Sequence, residues 1–161
     1  MDYNYHIGVS FPTNRDKKGI MKMYNSSGVL VFGPVDALGR GSNATENGND
    51  HTQWKKKYAD IPTGEYETTV IAANTPESSY GPHKRVWLNP AISGNAKIAE
   101  TAGRDEILIH GGNLTTDTSL PWYPLRPTLG CIRLENSNQK KLIDAISALG
   151  GGTGYITINN V

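Results

Sequence analysis

Apolar residues in this chain come in short runs broken by glycine, proline and asparagine, and only one stretch repeats them at helical spacing. That punctuation limits the fold before any motif is considered. A chain of 161 residues with 18 Gly and 9 Pro, rich also in Thr, Ser and Asn, turns often and favours short strands over long helices. Ile20 to Tyr24 and Val29 to Phe32 flank Asn25-Ser26-Ser27-Gly28 and read as a hairpin. Glu65 to Ala72 carries the aromatic and β-branched residues of a strand, and Arg85 to Leu88, Glu106 to His110, Cys131 to Leu134 and Tyr155 to Ile158 are shorter ones. Leu142, Ile143, Ile146 and Leu149 mark one helix, with Asn136 or Ser137 as its cap and Gly150-Gly151-Gly152 as its stop. The expectation is a single, mostly β domain over residues 1–161. Its sheets would pack as a β-sandwich or barrel-like unit with one C-terminal helix, a β-rich α+β arrangement.

Two segments read as long loops. Gly39 to Asp50 is polar and glycine-rich, as an exposed loop would be. Gly111 to Leu129 holds Pro121, Pro124 and Pro127 without periodicity, and loops of that length are often lids or binding loops. Trp122 and Tyr123 fall near its middle, where they either pack the loop down or line a substrate groove.

Composition removes several function classes. The formal net charge is +1 and the densest basic run is Lys55-Lys56-Lys57, a solvated face rather than a nucleic-acid footprint. No stretch approaches the roughly 20 apolar residues of a membrane helix, so no membrane insertion is expected. The N-terminal segment shows no basic stretch followed by an apolar one, so no secretion signal is visible. His6, His51 and His83 fit no metal spacing, and no metal or cofactor is expected. Asn-x-Ser/Thr matches at Asn25, Asn43 and Asn113 are expected by chance in an Asn-rich chain.

The one cysteine, Cys131, excludes an internal disulfide and is either a small buried residue or a nucleophile. Its neighbours favour the second. Gly130 permits a tight turn that brings amide N–H groups near the sulfur, where they can stabilise an oxyanion. His110 ends a strand anchored by Ile107-Leu108-Ile109, which can hold an imidazole in place. Arg133 lies two residues past Cys131, on the same face of a strand, where a cation can bind a carboxylate or favour a thiolate. Each feature alone has a plainer reading: a structural thiol, a polar strand end, a surface charge.

Together they resemble something more specific. Ile109-His110-Gly111, followed by Thr128-Leu129-Gly130-Cys131-Ile132-Arg133-Leu134, resembles the signature of the L,D-transpeptidase family, the YkuD-type catalytic domain. The gap from Gly111 to Pro127 is at the long end of that family's spacing. Ile61-Pro62-Thr63-Gly64-Glu65-Tyr66 and Tyr80-Gly81-Pro82 are similar to its upstream motifs, in the same order. The resemblance runs from about residue 18 to the end. Leu129 stands where the stricter motif has His, and Arg133 where some members carry Asn.

The resemblance implies a peptidoglycan enzyme acting through a Cys131 acyl-enzyme. His110 would take the thiol proton, the Gly111 carbonyl would orient its ring, and the Gly130 and Cys131 amides would hold the oxyanion. Thr128 would hydrogen-bond within the site, and Arg133, Trp122 and Tyr123 would contact the stem peptide. His83 is the alternative base. With an amine as acceptor the enzyme is a transpeptidase; with water it is an L,D-carboxypeptidase or endopeptidase. A delivered toxin, with a delivery or immunity partner, and a non-catalytic wall-binding domain are the other readings. The implied location is the bacterial cell envelope, the periplasm or outside the cell.

Overall fold

Alternation decides the first strand. In the computed structural model, which describes residues 3–41, 60–73, 77–104, 106–128 and 130–161, Tyr5, Ile7, Val9 and Phe11 are buried and the residues between them half-exposed. They form β1 (Tyr5–Phe11), with one face on the core. The strands expected from sequence do not include β1, although its period of two is regular.

β2 (Gly19–Asn25) and β3 (Leu30–Ala37) are the expected hairpin. Asn25 builds its turn: its carbonyl accepts the Gly28 N–H at 2.9 Å and its side-chain oxygen accepts the N–H groups of Ser27 and Val29. Gly28 supplies the positive φ of 81° that the turn requires. β3 continues past Phe32 through Gly33 and Pro34, where the register against β2 shifts. Proline has no N–H to give a ladder, and it is tolerated here at one end of the sheet.

β4 (Gly64–Ile71) leads through the short α1 (Glu77–Tyr80) to β5 (Arg85–Ser93), which extends past the expected Leu88. A helix absent from the sequence expectation follows, α2 (Gly94–Thr101), packed on β4 and β5. Its buried residues are Ala96 and Ala99, so its apolar periodicity is faint. β6 (Leu108–His110), β7 (Ile132–Arg133), α3 (Asn136–Ala148) and β8 (Gly154–Asn160) complete the chain. The cap of α3 is Glu135, in extended conformation and without a side-chain cap bond; Asn136 and Ser137 lie inside the helix, which corrects the expected cap. The helix does stop at the glycines, whose φ values are 92°, 67° and 74° from Gly150 to Gly152.

The eight strands form one sheet in the order β3-β2-β1-β8-β4-β5-β6-β7. Its two ends meet: Leu38 and Arg133 exchange backbone hydrogen bonds of 3.0 and 2.9 Å. The barrel-like alternative is therefore the one realised, with no second sheet facing the first among the described residues. Leu142 and Ile146 of α3 join the core cluster, and Gln139 Nε2 donates to the carbonyls of Lys84 and Ile109, tying the helix to β5 and β6.

Gly39, Arg40 and Gly41 are buried, and Gly41 bridges to Thr128, so the start of the expected exposed loop belongs to the structured body. The rest of that loop, the Lys55-Lys56-Lys57 run and Leu129 lie outside the described residues. The length of the segment from Gly111 to Leu129 has a cause that the sequence reading lacks. β6 and β7 pair in parallel, Ile109 with Ile132 and His110 with Arg133, and a parallel pair needs a crossover of a dozen or more residues. Among the described residues no helix is long and apolar enough to cross a membrane.

Leu142 is fully buried whereas Leu114 is 40% exposed. Leu142→Ala is expected to cost about 2–5 kcal/mol of unfolding free energy and Leu114→Ala under about 0.5, measured by urea denaturation. Equal losses would show that α3 does not close the core.

Candidate active site

The Gly130–Cys131 turn precedes β7 and is held on its amide side by one hydroxyl. Thr128 Oγ1 accepts the Cys131 N–H at 2.7 Å and the Gly130 N–H at 3.1 Å, and donates to the Cys131 carbonyl at 3.0 Å. Gly130 has φ 108°, which explains a glycine before the cysteine. The two amides expected to face an oxyanion thus donate to Thr128 in this state. Thr128 does hydrogen-bond within the site, at its centre.

The Cys131 sulfur is turned toward the start of β6. It accepts the Leu108 N–H at 3.3 Å, and its own S–H donates to the Glu106 carbonyl at 3.5 Å. Glu106, at φ 53°, is a non-glycine residue in the left-handed region, and such backbone clusters at functional sites. Burial pushes the thiol pKa up; the Leu108 amide, Arg104 and Arg133 pull it down, and Glu106 pushes it up again. The resting group is a buried thiol.

His110 closes β6 and is 2% exposed. Its Nδ1 lies 2.6 Å from the Gly111 carbonyl. A carbonyl only accepts, so the hydrogen-bond network assigns the proton to Nδ1 and the lone pair to Nε2. The Tyr80 ring packs on the imidazole at 4.8 Å. Burial pushes the His110 pKa down to about 3, with the Gly111 hydrogen bond opposing and Arg133 and Arg85 adding to the fall. Among the described residues no hydrogen bond joins this ring to Cys131.

Gly111 serves two side chains, because Arg133 Nη1 also donates to its carbonyl, at 3.1 Å. Arg133 is buried rather than extended into solvent, and its Nε has no partner among the described residues. Burial lowers its pKa to about 10, with Cys131 opposing and Arg126 adding to the fall. Asn136 Oδ1 accepts the Gly112 N–H at 2.8 Å, and a Cβ at Gly111 would collide with that oxygen. A Cβ at Gly112 would collide with Arg133 Nη1. Both glycines after His110 are required by close approach. Cys131, Thr128, Gly130, Arg133, Gly111 and His110 thus converge on the β6–β7 pair.

Trp122 and Tyr123 stand apart from that group. The Arg40 guanidinium lies 4.4 Å over the Trp122 ring and pairs with Asp16 at 2.6 Å. The loop folds on itself through a Thr115 N–H to Pro124 carbonyl bond of 2.9 Å, and Leu125 is fully buried beneath it. Trp122 is half-buried against Arg40, while Tyr123 is 39% exposed. Sequence reasoning named Tyr80 only within an upstream motif, and missed Glu106, Leu108 and Arg104 at the site. Two of these act through backbone atoms, which no side-chain pattern reveals, and an isolated arginine carries no motif. Among the described residues no group of three His, Cys, Asp or Glu converges on a metal position.

Residues 12–153 match the family model described as the L,D-transpeptidase catalytic domain, YkuD. No curated protein sequence matches the chain. Among solved structures it is similar to Bd1075 from Bdellovibrio bacteriovorus, with 19% identity and a TM-score of 0.57, over 97% of this chain and 48% of that one. It is also similar to the helical cell shape determining protein Pgp2 from Campylobacter jejuni, with 16% identity and a TM-score of 0.46, over 99% and 52% respectively. The chain spans about half the length of these solved proteins, and the likeness to Bd1075 supports the fold.

A histidine whose folded pKa is lowered contributes stability that is fully present above its unfolded value of about 6.5. That contribution is lost as pH falls through the folded value of about 3. Urea denaturation of wild type between about pH 6 and about pH 4 should show a slope that His110→Gln reduces by about 1.4 kcal/mol per pH unit. Identical slopes would mean that His110 takes up its proton while folded.

Proposed function

Because the chain belongs to the L,D-transpeptidase catalytic-domain (YkuD) family, we propose that residues 1–161 form a catalytic domain that acylates Cys131 with a peptidoglycan stem peptide in the bacterial cell envelope. The observation that carries the reading is the placement of a lone thiol, on a glycine turn just before β7, next to the strand β6 that ends in a buried imidazole whose Nε2 keeps its lone pair. Gly111 fixes that tautomer from the next residue along, so the proton acceptor is prepared before substrate arrives.

Substrate entry draws the thiol from the Glu106 carbonyl, and His110 Nε2 takes its proton as the sulfur attacks. The scissile bond joins the carbonyl of an L-configured centre to a terminal D-residue. A carbon–sulfur bond forms, the carbon–nitrogen bond breaks, and His110 returns its proton to the leaving amine. The Thr128 hydroxyl yields the Gly130 and Cys131 amides to the oxyanion as it develops. An amine of a second stem then resolves the thioester and releases Cys131. A folded thiolate would be costly at rest, because burial disfavours the charge; deprotonation is therefore coupled to attack. Arg133 sits beside this chemistry, and its free guanidinium edge suits a stem carboxylate.

Cys131→Ala is expected to abolish product formation, read as mass spectra of defined muropeptides incubated with the whole chain. Retained cross-linking or trimming in that variant would remove Cys131 as nucleophile. The loop from Gly111 to Leu129 is proposed to shield the thioester from water, with Tyr123 as its exposed aromatic. Replacing Trp122 and Tyr123 by Ala together should raise the share of hydrolysed over cross-linked product several-fold. An unchanged ratio assigns both rings to loop packing.

A further inference from the structure

The Gly130–Cys131 peptide is gripped on both faces, and only one grip belongs to the motif. Its N–H donates to Thr128, as described; its carbonyl accepts Arg104 Nη2 at 3.3 Å. The same guanidinium donates through Nη1 to the Asp60 carbonyl at 2.9 Å. Arg104 is 7% exposed and enters from the turn after α2, where its N–H bonds to the Ala99 carbonyl at 3.0 Å. One buried fork therefore ties the end of α2, the segment before β4 and the nucleophile turn. Among the described residues Arg104 supplies the side chain on the carbonyl side of the turn, and Gly130 itself, at φ 108°, offers none to stiffen it.

We propose that Arg104 is a positioning residue for Cys131, orienting and polarising the Gly130–Cys131 peptide and holding a permanent cation against the developing thiolate. A cation on a peptide carbonyl strengthens the N–H of the same peptide as a donor, because hydrogen bonds in a chain polarise one another. The N–H in question is that of Cys131, an oxyanion donor in the reading above. The cation also favours thiolate over thiol. Arg133 also favours the thiolate, Glu106 opposes both, and Tyr66 and Asp60 act on Arg104 itself. Arg133 is tied to Gly111, so neither arginine replaces the other.

The inference rests on Cys131 as the reactive group, yet it is testable without a stem peptide. The pH profile of Cys131 alkylation by iodoacetamide is measured on the whole chain, in wild type, Arg104→Gln and Arg104→Lys, with folding checked by circular dichroism. Removing the charge in Arg104→Gln should raise the alkylation midpoint by about one pH unit, which slows alkylation at neutral pH about tenfold. Arg104→Lys keeps a cation but cannot fork to Asp60 and Gly130 together, so its midpoint should rise by less. An unchanged midpoint in Arg104→Gln overturns the proposal. Should that chain not fold, an unchanged midpoint in Arg104→Lys overturns it equally. Failure of either kind leaves the muropeptide experiment standing, since alkylation reads the sulfur alone.

Discussion

The parallel pairing of β6 with β7 is the constraint on which the site depends. Two residue pairs, Ile109 with Ile132 and His110 with Arg133, bring the end of one strand beside the residues that follow Cys131. Ile109 and Ile132 are fully buried, so the pairing is anchored by the core rather than by its few hydrogen bonds. Antiparallel pairing would have allowed a tight hairpin and put His110 close to its partner along the chain. Parallel pairing forces the chain to leave, cross and return. Closure of the sheet from Leu38 to Arg133 fixes β7 from its other edge. A two-residue strand is thus held by the core beneath it and by a neighbour on each edge.

Much of this was legible in the sequence because particular residues have few alternatives. The Asn25-Ser26-Ser27-Gly28 turn, the glycine stop after α3 and the His110 and Cys131 segments each carry a local requirement that only a few residue types meet. What was not legible follows the same logic. Helix α2 buries alanines, whose apolar signal is weak, and β3 passes through a glycine and a proline that ordinarily break a strand. The cap of α3 was misplaced because Asn136 resembles a capping residue, whereas its side chain is used by Gly112 across the site. Glu106 and Leu108 act through carbonyl and amide, and backbone atoms are the same in every sequence.

Electrostatically, the site holds its reactive groups neutral. Burial drives the imidazole toward its free base and the thiol toward its protonated form, in opposite directions on the pKa scale and to the same end. The arginines at 104 and 133 lean against this on the sulfur side without reversing it. A site so arranged stores no ion pair at rest. In the proposed reaction, charge separates only when a substrate carbonyl is present to receive the sulfur's electrons, with both cations already in place.

The burial of the Cys131 sulfur has a consequence beyond geometry. Buried and hydrogen-bonded to the Glu106 carbonyl and the Leu108 amide, the sulfur rests as a thiol, whereas oxidation by peroxide begins from an accessible thiolate. The chain has no second cysteine to form a disulfide that could later be reduced. Each irreversible oxidation would therefore remove a molecule for good. Seen this way, the burial acts as a preservative: it keeps the one sulfur dormant between encounters, where no partner thiol of this chain could restore it.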